Sequence, residues 1–164
     1  MISVDILKQV ILDNQHDVER QIVIPRSVNL EEGMNYVLVG VRRAGKSFML
    51  YQRMQQNLQQ GIGWDKMLYI NFEDERLINM ESSELNLLLE AFARIYANDR
   101  PILFLDELQN VVGWEKFARR LADNKFRVYI TGSNAHMLSA EIATTLRGRY
   151  IMKEVHPYSL AEYI

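Results

Sequence analysis

The sequence contains no cysteine, which excludes disulfide bonds and thiolate metal sites. Its three histidines lie far apart along the chain, so they match no spacing typical of metal ligands. Long hydrophobic runs are also missing, because no apolar stretch approaches the roughly 20 residues that span a bilayer. The opening MISVDILKQVILDNQ is interrupted by charged residues and predicts an amphipathic helix rather than a signal peptide. We therefore expect a soluble, cytoplasmic protein without membrane contact.

Net charge is also low, at -2 for 164 residues. A chain without an overall basic field has no general attraction for nucleic acid or anionic lipid, so such contacts would have to be local. The length and a hydrophobic content of 48% are those of a globular chain with one good core. The local basic cluster that a nucleic acid would need lies on one predicted helix and comprises Lys116, Arg119, Arg120 and Lys125.

Apolar runs of strand length alternate with segments of helical periodicity along the chain. The predicted strands are YVLVG, MLYINF, ILFL, FRVYITGS and YIMKEV, and ILFL is apolar throughout, as in a strand buried on both faces of a parallel sheet. Strands that alternate with helices imply right-handed crossovers and a three-layer α/β sandwich. We expect an N-terminal helix and lead-in segment over residues 1–29 and the α/β domain over residues 30–164.

The stretch GVRRAGKS, residues 40–47, follows the first predicted strand and matches GxxxxGK[ST] in full. Glycines let backbone N–H groups converge on phosphate oxygens, and the helix that starts there adds the positive end of its dipole. In this pattern Lys46 reaches the β- and γ-phosphates and Ser47 binds Mg²⁺. The pattern leaves positions 42 and 43 free, so the role of the two arginines there is open. The predicted nucleotide-binding residues are Gly40, Val41, Arg42, Arg43, Ala44, Gly45, Lys46, Ser47 and Phe48.

Two acidic residues, Asp106 and Glu107, follow the buried run ILFL. Ligands of parallel α/β sheets bind at the carboxyl ends of the strands, which is where these acids are expected. We predict that Asp106 holds Mg²⁺ together with Ser47. Glu107 is predicted to align and deprotonate the water that attacks the γ-phosphate, as a general base.

Polar residues also end the next predicted strand and precede the last one. Either Ser133 or Asn134, in YITGSN, is expected to point at the γ-phosphate or the attacking water. Arg147 and Arg149, in LRGR, are predicted either to stabilise charge on a transferring phosphoryl group or to form surface salt bridges. The FEDER stretch after the second strand is predicted to be a solvated loop.

With these motifs in this order, the chain resembles AAA-type P-loop ATPases over most of residues 30–164. It is most similar to the archaeal-type branch, whose loops commonly read GxRRxGK[ST]. The resemblance implies a five-stranded parallel sheet of order 5-1-4-3-2, with ATP or ADP and Mg²⁺ as ligands. It also implies that Ser133 or Asn134 is the first sensor, and that Arg147 and Arg149 stand where an arginine finger reaches a neighbouring subunit.

Proteins similar to this one usually continue into a C-terminal domain, and the short helix start in HPYSLAEYI suggests a chain truncated before such a domain. We predict hydrolysis of MgATP to ADP and phosphate with a conformational output to a partner or to that domain. Three alternatives stay open: a nucleotide-dependent switch with little turnover, a small-molecule kinase, and a nucleic-acid-associated ATPase. Glu107 directly after Asp106 favours water over a kinase substrate as the phosphate acceptor.

Overall fold

A computed structural model describes residues 2–25, 30–41, 45–133 and 140–157. Helices and strands alternate as the sequence pattern predicts. The helices are α1 Val4–Glu19, α2 Lys46–Gln59, α3 Asn86–Tyr96, α4 Trp114–Asp123 and α5 Ala140–Leu146. The strands are β1 Tyr36–Val39, β2 Met67–Asn71, β3 Ile102–Asp106, β4 Val128–Gly132 and β5 Ile151–Glu154.

The five strands form one parallel sheet of order β2-β3-β4-β1-β5. Read from the other edge, this is the predicted order 5-1-4-3-2, so the predicted fold is confirmed. β4 lies between β1 and β3 and pairs with both of them. The carboxyl ends of β1, β3 and β4 therefore meet in the middle of one sheet edge.

Side chains alternate between the two faces of the sheet, as the period of two in a strand requires. On β1, Tyr36 and Leu38 join the core beneath α2, whereas Val37 and Val39 join the core beneath α3 and α4. Both cores are built from buried residues, which explains why the strand sequences are almost continuously apolar. The two cores make the molecule a three-layer sandwich.

The face of the sheet beneath α2 is built around an aromatic row. The Tyr129 ring stacks on Phe104 at a centroid distance of 4.8 Å and lies 6.1 Å from Tyr36. Tyr69 continues this face on β2 and makes an edge contact with Tyr51 of α2. These rings fill the space between a single helix and the sheet, and they support the strand ends that carry the polar site.

Helix α1 packs in the same core as α3 and α4. Leu7, Val10 and Ile11 are fully buried there, and Asn14 Oδ1 accepts a hydrogen bond of 2.8 Å from the backbone N–H of Asn71 at the end of β2. The helix therefore covers the β2 side of the sheet. The domain boundary at residue 29 stays a prediction.

The FEDER stretch forms the solvated loop that the sequence predicts, with Glu73, Glu75 and Arg76 exposed, and it is also anchored to α1. Arg76 pairs with Asp74 at 2.7 Å and with Asp13 of α1 at 2.8 Å. The Arg76 hydrogen bonds lower the pKa of both aspartates below the usual value. The sequence pattern carries no signal for this contact, because its partners lie 63 positions apart.

No helix in the described part of the chain is long and apolar enough to cross a membrane.

Candidate nucleotide-binding site

The candidate site lies where the P-loop, the β3 end and the β4 end come together. Gly45 has a left-handed φ of 94° and immediately precedes Lys46, the first residue of α2. Glycine adopts this conformation without steric cost, and it turns the chain directly into the helix. The first backbone N–H groups of α2 have no partner within the helix, so they provide an anion site at its N-terminus.

Lys46 points into the site and is only 3% exposed. Its Nζ donates hydrogen bonds to the backbone oxygens of Gly40, at 2.6 Å, and Gly132, at 3.0 Å. The same ammonium group lies 3.5 Å from Glu107 Oε1. Lys46 thus connects the P-loop with the ends of β3 and β4. The sequence predicts that these three segments bind phosphate, activate water and carry the sensor, respectively.

Asp106 is buried at the end of β3, with 1% exposure, and accepts hydrogen bonds from three hydroxyl groups. Ser47 Oγ and Thr131 Oγ1 donate to Oδ1 at 3.0 and 2.6 Å, and Tyr69 OH donates to Oδ2 at 2.8 Å. The donors come from β2 and β4, which flank β3 in the sheet, and from α2, which covers one face of the sheet. The carboxylate orientation is therefore fixed from three sides.

Burial has the largest effect on the pKa values of Asp106 and Tyr69. Loss of hydration raises the pKa of Asp106 above its usual value, and the nearby Glu107 carboxylate raises it further. The three hydroxyl hydrogen bonds act in the opposite direction and favour the ionised form. Burial and the Asp106 charge together raise the pKa of Tyr69 well above its ordinary value, so Tyr69 remains a hydrogen-bond donor.

The donor set at Ser47 and Asp106 suits Mg²⁺. A hydroxyl and a carboxylate oxygen are the hard ligands that this ion prefers, and they lie 3.0 Å apart beside the P-loop helix. Mg²⁺ is usually held by one or two protein oxygens together with phosphate oxygens and water. The residues present therefore fit a magnesium–nucleotide complex.

Glu107 adopts a left-handed φ of 58°, which is uncommon for a residue other than glycine. Its backbone N–H donates to Thr131 Oγ1 at 2.9 Å, and its Oε2 accepts a 2.6 Å hydrogen bond from Gln109 Nε2. The side chain is 12% exposed. This conformation turns the carboxylate away from the line of β3 and toward Lys46.

The remaining predicted nucleotide-binding residues are only partly described. Val41 is exposed, and Phe48 is 38% exposed with its ring 5.3 Å from that of Tyr51. Ser133 directly follows β4 and is half-buried. Arg42, Arg43, Ala44 and Asn134 lie outside the described residues, so the choice between Ser133 and Asn134 as sensor stays open.

The two arginines predicted as fingers are placed differently. Arg147 is exposed directly after α5. Arg149 Nε instead lies 2.7 Å from Asp123 Oδ1 at the end of α4. Arg149 therefore has the surface ion pair that the sequence allowed as an alternative, whereas the finger role of Arg147 stays a prediction.

Three residues of the site are missing from the sequence-based prediction: Thr131, Tyr69 and Gln109. Thr131 bonds both Asp106 and the Glu107 backbone, but in the sequence it is only one more β-branched residue of a strand. Tyr69 lies on β2, which has no site motif. Tyr69 reaches Asp106 because β2 pairs with β3 in the sheet, and this pairing is not visible in the sequence.

The parallel sheet, the P-loop and the acids at the β3 end together define a P-loop nucleotide-binding domain of the α/β class. The chain matches the AAA domain family over residues 33–164. It belongs to this family and is an AAA-type P-loop ATPase domain. AAA domains bind ATP or ADP with Mg²⁺, in agreement with the donor set at Ser47 and Asp106.

Two relatives match most of the chain. An uncharacterized protein of Methanocaldococcus jannaschii is 42% identical over 161 residues, which is 97% of this chain and 35% of that protein. An uncharacterized protein of Haemophilus influenzae is 39% identical over 132 residues, or 78% of this chain and 32% of that protein. The chain thus spans about a third of the length of these relatives.

Among solved structures, the chain is similar to the Orc1 protein of Aeropyrum pernix, whose structure was determined in complex with DNA. The TM-score is 0.47 at 15% identity, and the match covers 99% of this chain and 47% of that one.

Proposed function

We propose that this domain binds MgATP and hydrolyses it to ADP and phosphate, and that the chemical cycle drives a conformational change in a partner or in a C-terminal domain. The observation that carries the proposal is that Lys46 Nζ lies 3.5 Å from Glu107 Oε1 at the same sheet edge where Ser47 Oγ lies 3.0 Å from Asp106 Oδ1. A phosphate-binding cation, a metal-binding pair and a base are the three components that phosphoryl transfer to water requires.

Each of these side chains has a distinct task in the proposed reaction. Lys46 turns from the Gly40 and Gly132 oxygens toward the β- and γ-phosphates and neutralises their charge. Glu107 orients the attacking water and accepts its proton as the bond to the γ-phosphorus forms. Asp106, held by Thr131 and Tyr69, keeps a fixed oxygen beside Ser47.

Ser47 and Asp106 would hold Mg²⁺ at this site, and the ion would supply positive charge that offsets the negative charge of the phosphates. Because burial disfavours an uncompensated charge on Asp106, a cation beside this carboxylate is electrostatically favourable.

A single-turnover experiment separates hydrolysis from a switch. Excess protein is mixed with γ-labelled ATP and Mg²⁺, and free phosphate is followed over time. We expect complete conversion of the bound ATP, and omission of Mg²⁺ should abolish it because the β- and γ-phosphate charge is then not neutralised. Tight binding of ATP without phosphate release would contradict the proposal and support the nucleotide-dependent switch.

An arginine acting between subunits is expected to make activity depend on protein concentration. The exposure of Arg147 supports this role, because its side chain is accessible from outside the molecule. In other phosphoryl-transfer systems an arginine finger supplies about 10³ to 10⁵ in rate. We therefore expect the specific activity of the wild type to rise with concentration and that of Arg147→Ala to stay low throughout.

Mixing two inactive variants tests whether this arginine acts in trans. A mixture of Arg147→Ala and Lys46→Ala can form an interface with one intact nucleotide site and one intact arginine. Activity above the sum of the two separate proteins supports the trans role, whereas additive activity contradicts it. Arg94→Ala serves as the matched control, because Arg94 is an exposed helix residue paired with Glu90.

A further inference from the structure

Gln109 contacts the proposed base although the sequence motif does not include it. A short 3-10 turn, Leu108–Asn110, directly follows Glu107, and the fully buried Leu108 anchors it in the core. This turn carries the Gln109 side chain back over Glu107. The Gln109 amide Nε2 then donates a 2.6 Å hydrogen bond to Glu107 Oε2.

The orientation of the Gln109 amide follows from charge. The reverse orientation would place its carbonyl oxygen against the Glu107 carboxylate, where neither group has a proton to donate. In the observed orientation Gln109 Oε1 is buried and has no hydrogen-bond partner among the described residues. A buried unpaired oxygen destabilises the fold, so folding alone favours an apolar side chain here. The amide at this position therefore points to a role other than stability.

The two oxygens of Glu107 are held by different groups. Oε1 lies 3.5 Å from Lys46 Nζ, whereas Oε2 accepts the shorter bond from Gln109. The longer distance shows an ion pair that is not fully closed. Without Gln109, the Glu107 carboxylate would be free to rotate and form a closer ion pair with Lys46. That ion pair would engage both the proposed phosphate-binding cation and the proposed base.

We infer that Gln109 is a positioning residue that holds the Glu107 carboxylate in the orientation needed to activate water and keeps it from closing on Lys46. Gln109 acts through Glu107 and does not contact the phosphates. The inference rests on the proposed hydrolytic function, and it adds a fourth component to the site, encoded two positions after the base.

The kinetic test uses Gln109→Met, which keeps the length and volume of the side chain and removes the donor. Because misplacement of a reacting group by about 1 Å can cost 10²-fold, we expect kcat to fall roughly 10- to 100-fold with KM for ATP nearly unchanged. In a Glu107→Gln background the same substitution should have little further effect on single-turnover hydrolysis. Gln59→Met, at an exposed position of α2, is the matched control.

A stability test checks the contact independently of any hydrolysis. Thermal unfolding is measured without nucleotide for the wild type, Gln109→Met, Glu107→Met and the double variant. Gln109→Met is expected to shift Tm by different amounts in the wild-type and Glu107→Met backgrounds. If the hydrogen bond exists, the two shifts should differ by roughly 2–4 °C.

The two tests separate the possible failures. Equal Tm shifts in both backgrounds overturn the contact, and an unchanged kcat in Gln109→Met overturns the positioning role. Absence of phosphate release by the wild type contradicts the proposed function. In that case the Tm shifts still decide whether Gln109 holds Glu107.

Discussion

Lys46→Ala is expected to weaken MgATP binding roughly 10- to 150-fold, because hydrogen bonds to charged groups contribute about 1.5–3 kcal/mol. Lys46 is the buried cation at the N-terminus of α2, where the phosphates of a P-loop nucleotide bind. The affinity is measured by calorimetry with a non-hydrolysable ATP analogue and Mg²⁺. An unchanged dissociation constant would contradict the assignment of the P-loop.

Two controls make the Lys46 result interpretable. Removal of Lys46 leaves the largely buried Glu107 without its cationic partner, so part of the effect could arise from loss of folding. Lys46→Met keeps the aliphatic stem, and thermal unfolding of both variants shows whether they remain folded. Lys66→Ala removes an exposed lysine before β2 and should leave the affinity unchanged.

Glu107→Gln is expected to slow hydrolysis by about 10² to 10⁴ while nucleotide binding stays close to that of the wild type. Glutamine keeps the shape of the side chain but does not accept a proton from water. The rate is measured under single-turnover conditions, which separate the chemical step from release of ADP. A variant that hydrolyses ATP at the wild-type rate would show that Glu107 is not the base.

The matched control for this substitution is Glu75→Gln. Glu75 is exposed in the loop that follows β2, so its replacement changes the net charge equally without altering the site. If both variants lose activity to the same extent, the effect is one of general charge. Loss confined to Glu107→Gln supports general-base catalysis.

The sequence predicted the layout of this fold well because its signals are local. Strand periodicity, the glycine-rich loop and the acids after ILFL each occupy a few consecutive residues. The parallel sheet then brings these strand ends together without further information, because ligand-binding loops follow the carboxyl ends of the strands. Ser47 and Asp106 are 59 positions apart, and the sheet brings them to 3.0 Å from each other.

The contacts that orient the site were not predictable in the same way. Tyr69 reaches Asp106 because β2 pairs with β3 in one particular register, and Thr131 does so from β4. Gln109 reaches Glu107 because the left-handed backbone of Glu107 starts a tight turn. These contacts depend on strand order and on single dihedral angles, which leave no repeating pattern in a sequence.

Asp106 shares its face of the sheet with Phe104, whereas Leu105 between them belongs to the opposite core. Insertion or deletion of one residue within β3 would exchange these faces, because successive side chains of a strand point in opposite directions. Ser47 would then meet a leucine or a glutamate in place of Asp106. Evolutionary changes in chain length are therefore expected to spare the five residues of β3.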